Sequence, residues 1–477
     1  MTVRVRFAPS PTGSLHIGSV RTTLYNWIFA RQHGGTLMLR IEDTDQDRLV
    51  EGAIDSIYDG LRWMGLQWDE GPREGGRFAP YVQSERLPVY LEHARKLVES
   101  GAAYPCFCSK ERLDQVRKAQ AQRGEVTRYD GHCRSLDPKE AATRTGFERH
   151  VIRLKVPDEG TIALDDIVYG HIEWPLKSID DQVLMKSDGF PTYHLAVVVD
   201  DHVMGITHVF RGEDWLPSTP KHLLIYRAFG WDVPPHGHFP NVLGPDSKKL
   251  AKRHGATRVE QFRTDGFLPE ALLNYLALVG WSPGTEDEIF SLEQLVATWR
   301  IEHVQKAGGK WDLERLRWFN GMWIRRLGHE ELAARLEPFL PDHWDRAVVR
   351  AAVPILQERL VTLADARDLL EFLFVVLVEP DAALLVPKKR TPEEVVAILS
   401  RTEVALRYLE PFEAGPIRSA LEGVAADRGL SLRDTTIALY PAITGKRAGL
   451  PLFDGIALLG KERALARLRE AQDRLAA

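Results

Sequence analysis

Two stretches more than two hundred residues apart carry the residues best suited to chemistry: Pro9-Ser-Pro-Thr-Gly-Ser-Leu-His-Ile-Gly-Ser19 and Lys249-Leu-Ala-Lys-Arg253. In the first, His16 can hydrogen-bond a phosphate oxygen, and Gly13 and Gly18 let a ligand come close to the backbone. In the second, Lys249, Lys252 and Arg253 can neutralise the charge that builds up when a triphosphate is attacked at its innermost phosphorus. Taken singly, the histidine could be a helix cap and the basic cluster a solvated loop. Taken together they read as an ATP site.

The elements around the first stretch suit that task. Val3, Val5 and Phe7 alternate as in a strand, and Ile17, Val20, Leu24 and Ile28 fall on one face of an amphipathic helix that runs to about Arg31. The free N–H groups and positive dipole end of such a helix favour an anion. Gly34-Gly35 ends the helix, and Leu37-Met-Leu-Arg-Ile41 is an apolar run of the length of a buried strand, completing a βαβ unit. A parallel sheet places its ligand at the carboxyl ends of its strands, where both the first loop and Glu42 lie.

The chain has 477 residues, 44% of them apolar, which suggests two to four domains with real cores. It contains no run of eighteen apolar residues, and a charged strand opens it where a secretory signal would need an apolar stretch. Three cysteines cannot form a disulfide framework, so the reading is a cytoplasmic protein with no membrane segment. A formal charge of -5 does not advertise a nucleic-acid partner, although a local basic face can coexist with an acidic average. All three cysteines fall in Cys106-Phe-Cys108 and Tyr129-Asp-Gly-His-Cys133. Clustered thiols in a reducing compartment favour zinc over a disulfide, with reduced free thiols as the alternative.

Further along, about Tyr81 to Val183 reads as an insertion of two basic helical stretches around a loop, followed by short strands such as Val151–Lys155. After Gly255 the Leu- and Trp-rich segments read as helices interrupted at Ser282-Pro-Gly-Thr-Glu-Asp287. From about Leu327 nearly everything is helical. Thr391-Pro-Glu-Glu394 is a capped helix start leading into Val395–Tyr408, and Ile417–Arg428 and Ile456–Ala476 read as further helices. No Gly-x-Ser-x-Gly, triad spacing or P-loop signature occurs.

Phe7 to Gly18, Arg40-Ile-Glu-Asp-Thr-Asp45, Phe190-Pro-Thr-Tyr-His194, Asp200-Asp-His202, Arg211-Gly-Glu-Asp-Trp215 and Lys249 to Arg253 follow one another through the N-terminal half. In these segments the chain resembles the bacterial glutamyl-tRNA synthetases, a branch of the class I aminoacyl-tRNA synthetases. Gly266 to Tyr275 and Leu458 to Ala464 extend the resemblance over essentially the whole length. It implies an α/β Rossmann-type class I catalytic domain (1–80 and 184–255) with an inserted α+β domain for the acceptor end (81–183). A helical stem-contact domain (256–326) and an all-α anticodon-binding domain (327–477) would follow. The implied reaction is activation of L-glutamate by ATP, with Mg²⁺, to glutamyl-adenylate, then transfer to the terminal adenosine of tRNA(Glu) by a monomer. In that chemistry no protein nucleophile is needed, and the enzyme positions groups and neutralises charge.

Residue by residue, the resemblance implies that Arg6, Ser10, Glu42, Tyr193 and Arg211 hold glutamate, since two carboxylates need two cations and an ammonium needs an anion. His16, Gly18, Asp214, Val242, Lys249, Lys252 and Arg253 would hold ATP, with His16, Lys249 and Lys252 acting on the transferring phosphorus. Ala251 stands where the family loop usually has serine, and Val197 where some members carry asparagine. Cys106, Cys108, Tyr129 and Cys133 match the zinc ligands of some members, with His132 competing for the fourth place, and Arg359 matches an arginine that reads the anticodon's last base. Relatives of this kind activate glutamate only with tRNA bound. The reading that competes from another class is a small-molecule nucleotidyltransferase, which shares the phosphate loop and needs neither insertion nor tail.

Overall fold

A computed structural model describes every residue except Met1, Leu377, Glu379, Asp381, Lys389 and Ala477; the side chains of Lys252 and Ala382 also lie outside the description. The chain divides into two compact units, Met1–Gln261 with Leu272–Leu313, and Phe262–Ala271 with Glu314–Ala477.

In the first unit the opening alternation becomes β1 (Arg4–Phe7), which pairs in parallel with β2 (Thr36–Leu39), Phe7 opposite Leu39. The crossover is α1 (Ile17–Gln32), whose C-terminal turn is followed by Gly34 at a φ of 58°. Gly35 must be glycine because a Cβ there would stand 2.4 Å from the Val3 carbonyl oxygen. One expectation changes. α1 is not a one-faced amphipathic helix, for Arg21, Thr23, Tyr25, Asn26 and Phe29 are buried along with the apolar stripe. Both strands and the helix Leu292–Thr298 pack around it, which leaves it little face for water.

After α2 (Ala53–Trp63), the insertion contributes α3 (Leu87–Glu99), β3 (Ala103–Cys106), α4 (Lys110–Gln122), α5 (Pro138–Thr145) and β4 (Val151–Leu154). The hairpin β5 (Thr161–Asp166) and β6 (Gly170–Pro175) follows, and β7 (Val183–Met185) closes an antiparallel sheet in the order β3-β4-β7. The chain then returns to the parallel layer through α6 (Tyr193–Val203), β8 (Val209–Gly212), α7 (Thr219–Phe229) and β9 (His236–Phe239). β8 and β9 are parallel, and Thr207 N–H donates to Arg4 O (2.9 Å), bringing them alongside β1.

The second unit is helical. Thr391 caps Pro392–Arg407 with the capping box its sequence announces, the hydroxyl accepting from Glu394 N–H and the Glu394 carboxylate accepting from Thr391 N–H. The expected single helix Ile456–Ala476 is two, Leu452–Leu459 and Lys461–Ala476, because Gly460 at a φ of 85° breaks the chain between them. Its apolar periodicity runs across that break, so pattern alone reads it as continuous. Buried Leu336, Val353, Leu356, Ile398, Leu399, Ile443 and Leu468 make up the interior, into which Arg467 donates to Phe372 O and Val375 O (both 2.6 Å).

Candidate active site

A cavity of about 710 Å³ opens where the carboxyl ends of the parallel strands meet the N-terminus of α1. Arg6, Ser10, His16, Gly18, Glu42, Tyr193, Arg211, Asp214, Val242 and Lys249 all line it, drawn from segments more than two hundred residues apart. The strand directions put them there: residues following β1, β2, β8 and β9 all emerge at one edge of the layer.

The two arginines differ in their company. Arg6 meets Asp201 through two nitrogens, Nε to Oδ1 at 3.0 Å and Nη2 to Oδ2 at 3.2 Å, and its Nη1 donates to Phe210 O at 3.1 Å. Arg40 lies behind it, 2.9 Å from both Glu42 Oε1 and Asp201 Oδ1. Asp200 takes Arg86 Nε at 2.9 Å, Gln83 Nε2 at 2.9 Å and the Tyr90 hydroxyl at 2.8 Å. Arg6, Arg40 and Arg86 thus face Glu42, Asp200 and Asp201 in one buried, charge-balanced network. Burial alone would lower the Arg6 pKa, but the charge and hydrogen bonds of Asp201 together offset it and leave the arginine above its ordinary value. Burial would raise Asp201, yet Arg6 and Arg40 hold its carboxyl below the usual range. At Glu42 burial prevails over Arg40, and the pKa is raised.

Arg211 is also buried, at 5% exposure, but its partners are neutral: His238 Nε2 (3.0 Å), His222 Nδ1 (3.0 Å), Thr219 Oγ1 (3.0 Å) and the Tyr193 hydroxyl (3.4 Å). Burial lowers its pKa from the ordinary value. The ring of Tyr193 lies 4.2 Å from that of Trp215, so the pair forms an aromatic wall of the cavity.

At the nucleotide end, His16 is the N-cap of α1 and its Nδ1 accepts from Gly18 N–H at 3.1 Å. An accepting Nδ1 places the ring proton on Nε2, which makes that nitrogen a donor. The cap and the catalytic assignments are therefore compatible in one residue. Lys249 Nζ pairs with Asp214, and Leu250 N–H donates to Val242 O at 2.8 Å, tying the basic loop to the strand segment after β9. Arg253 does not line the cavity; it sits 3.3 Å from Asp246 on the exposed part of the loop. The Lys252 side chain lies outside the described residues. Val197 is buried among apolar side chains, away from the cavity lining.

Elsewhere, the thiols of Cys106, Cys108 and Cys133 lie within 4.8 Å of one another. The Tyr129 hydroxyl is 3.3 Å from Cys106 Sγ and 3.6 Å from Cys108 Sγ, whereas His132 is exposed. Arg359 is exposed at the end of the helix Arg346–Gln357, near Tyr440.

Sequence reasoning missed several participants. Asp200 and Asp201 interrupt the run Leu195-Ala-Val-Val-Val199 in α6, and two carboxylates in an apolar helix ask for buried cations. His236 and His238, two apart in a strand, point to one face, but only the fold brings Arg211 beside His238.

A parallel layer with an N-terminal phosphate loop, a basic loop after its last strand and a cavity between them defines a class I tRNA synthetase catalytic domain. The model of the family described as tRNA synthetases class I (E and Q), catalytic domain, matches residues 2–318, and that of an anticodon binding domain matches 331–472. The glutamate–tRNA ligase of Dehalococcoides mccartyi is 44% identical over 483 residues, covering 99% of this chain and 98% of that one. The glutamate–tRNA ligase of Stutzerimonas stutzeri is 44% identical over 477 residues, covering 99% and 96%. A glutamate tRNA ligase from Elizabethkingia meningosepticum, solved in complex with its amino acid, superposes with a TM-score of 0.91 at 34% identity over 100% of both chains. The chain belongs to the glutamate–tRNA ligase family. Membership implies that it uses ATP, and among the described residues no helix is long and apolar enough to cross a membrane.

Proposed function

We infer that the chain activates L-glutamate with ATP and transfers it to the terminal adenosine of tRNA(Glu). The observation that carries this reading is Arg211, a buried guanidinium lining the cavity with only neutral hydrogen-bond partners among the described residues, which suits the side-chain carboxylate of the amino acid. Glutamine would offer that charge a neutral amide, and a discrimination on the order of 10⁴-fold is the usual scale for a missing polar partner. Arg6 has already committed three of its five N–H donors to Asp201 and Phe210. It meets the substrate with what remains, Glu42 receives the ammonium, and Ser10 and Tyr193 complete the pocket.

Glutamate then lies with its α-carboxylate toward the α-phosphorus of ATP. Its oxygen attacks, and pyrophosphate leaves as His16, Lys249 and Lys252 neutralise the charge that develops. Gly18, Asp214 and Val242 hold the nucleoside part, and Arg253 joins them when its loop closes on ATP. Mg²⁺ comes with the triphosphate, held largely by phosphate oxygens and water. A structural Zn²⁺ fits the three thiols, with Tyr129 as the fourth ligand. Residues 81–183 take the acceptor end, 256–326 the stem and 327–477 the anticodon, where Arg359 reads the last base; 1–80 with 184–255 carry the chemistry. The protein works as a monomer in the cytoplasm, consistent with its three free thiols.

Pyrophosphate exchange tests this directly. Exchange should depend on glutamate and on added tRNA, and exchange driven by glutamine in place of glutamate would sink the specificity. Charging of purified isoacceptors, with glutamate incorporated into tRNA(Glu) and not into tRNA(Gln), tests the Arg359 assignment.

A further inference from the structure

Arg211 on β8 and His238 on β9 are register partners in a parallel pair, so their side chains stand side by side on one face. An arginine nitrogen can only donate, and His238 Nε2, 3.0 Å from Arg211 Nε, must therefore accept. The imidazole proton is then on Nδ1, where it donates to Asp166 Oδ2 at 2.6 Å. The other oxygen of Asp166 takes Val168 N–H and Tyr169 N–H, both at 2.9 Å, at the turn of the β5–β6 hairpin, so the carboxylate cannot swing toward the arginine. His238 does not line the cavity; it stands behind Arg211, fully buried.

We propose that His238, fixed in one tautomer by Asp166, is a positioning residue for amino-acid specificity: it anchors Arg211 by an acceptor nitrogen and keeps the arginine's charge uncancelled for an incoming carboxylate. A carboxylate in its place would hold the arginine equally well, but its own charge would cancel part of the guanidinium's attraction for the substrate's side-chain carboxylate. One imidazole of separation gives the grip without the neutralisation. The remaining contacts follow the same rule. His222 Nδ1 accepts from Arg211 Nη1 while its Nε2 meets His194 Nδ1 at 3.0 Å, and Thr219 Oγ1 accepts from Nη2. Burial, followed by the neighbouring Arg211 charge at His222, lowers the pKa of both imidazoles and keeps them neutral acceptors.

The inference rests on the reading of Arg211 as the side-chain site, and the experiment separates the two. In the full-length enzyme with tRNA, His238→Asn keeps an amide N–H for Asp166 but cannot reach Arg211, whereas in His238→Gln the amide oxygen reaches the position of Nε2. H238N is expected to raise the glutamate KM about tenfold and to lower the glutamate-over-glutamine ratio of kcat/KM about tenfold, the scale of one hydrogen bond to a charged group. The ATP KM and the thermal midpoint should stay near wild type, and H238Q should recover most of the glutamate KM. Asp166→Asn, which leaves the imidazole in place but offers Nδ1 a competing N–H, should shift the glutamate KM the same way by a smaller factor. Wild-type KM and ratio in both H238N and D166N, while R211A raises the glutamate KM, would overturn the positioning role. So would a loss shared equally by the ATP KM and the thermal midpoint. An unchanged glutamate KM in R211A would remove the Arg211 reading itself, and this inference with it.

Discussion

Arg6 grips Asp201 with two nitrogens at 3.0 and 3.2 Å, both side chains buried, so the first arginine of the cavity is matched to a carboxylate of the protein itself. Among the described residues Arg211 has no such match in its hydrogen-bond partners. The resemblance gives both arginines to glutamate; in the structure Arg6 is tied into the buried ion-pair network, whereas the hydrogen-bond partners of Arg211 are neutral groups.

Substitution should separate these roles. Arg6→Ala strips Asp201 of its bidentate partner and is expected to destabilise the fold by about 3 to 5 kcal/mol, read as a lower urea midpoint. Arg211→Ala should move that midpoint much less while raising the glutamate KM roughly a hundredfold, the scale of a desolvated charge pair. Equal losses of stability in the two variants would contradict the division.

At the nucleotide end, His16→Ala and Lys252→Ala should each lower the rate of adenylate formation by about 10² to 10³ with little change in glutamate affinity. Single-turnover measurement of the adenylate checks this. The α1 cap that His16 also provides adds a second signature in its variant, a helix-capping loss of about 1 kcal/mol.

Acid should weaken the fold through buried His236. Burial, then the Arg211 charge, pushes its pKa from the ordinary 6.5 down to about 3. The folded state keeps it neutral while the unfolded chain takes a proton, so its contribution is complete above 6.5 and is lost progressively as the pH falls toward 3. The slope in that window reaches up to about 1.4 kcal/mol per pH unit for one proton. His236→Asn can still donate to Pro234 O as Nδ1 does now, and urea midpoints measured between about pH 7 and about pH 5 should then fall less steeply than in the wild type.

Metal analysis of the purified protein is expected to find one zinc per chain, lost on Cys133→Ser and unaffected by His132→Ala, since the imidazole is exposed and apart from the thiol group. Tyr129→Phe should weaken retention against a chelator. Zinc-free protein with three titratable thiols would leave the cluster as a packed group of cysteines.

In the helical unit, Thr391→Ala removes one half of the capping box and should cost about 1 kcal/mol, seen as faster amide exchange in the first turn of Pro392–Arg407.

Much of this could be read from residues in order. The βαβ start, the cap at Thr391 and the residues that line the cavity are local or motif-borne, because strand alternation, helix caps and glycine turns are decided within a few residues of chain. Where pattern misled, the cause at α1 was tertiary, since strands and a distant helix cover its wet face, and at Gly460 it was local, a glycine at positive φ that breaks a helix whose apolar period does not falter. The sequence by itself determined the chemistry on offer, which cations, carboxylates and glycines the chain possesses and which strand ends carry them. Only the folded chain decided their states. Whether an arginine meets Asp201, 195 residues away, or two imidazoles, 27 and 11 residues away, is set by packing geometry rather than by spacing.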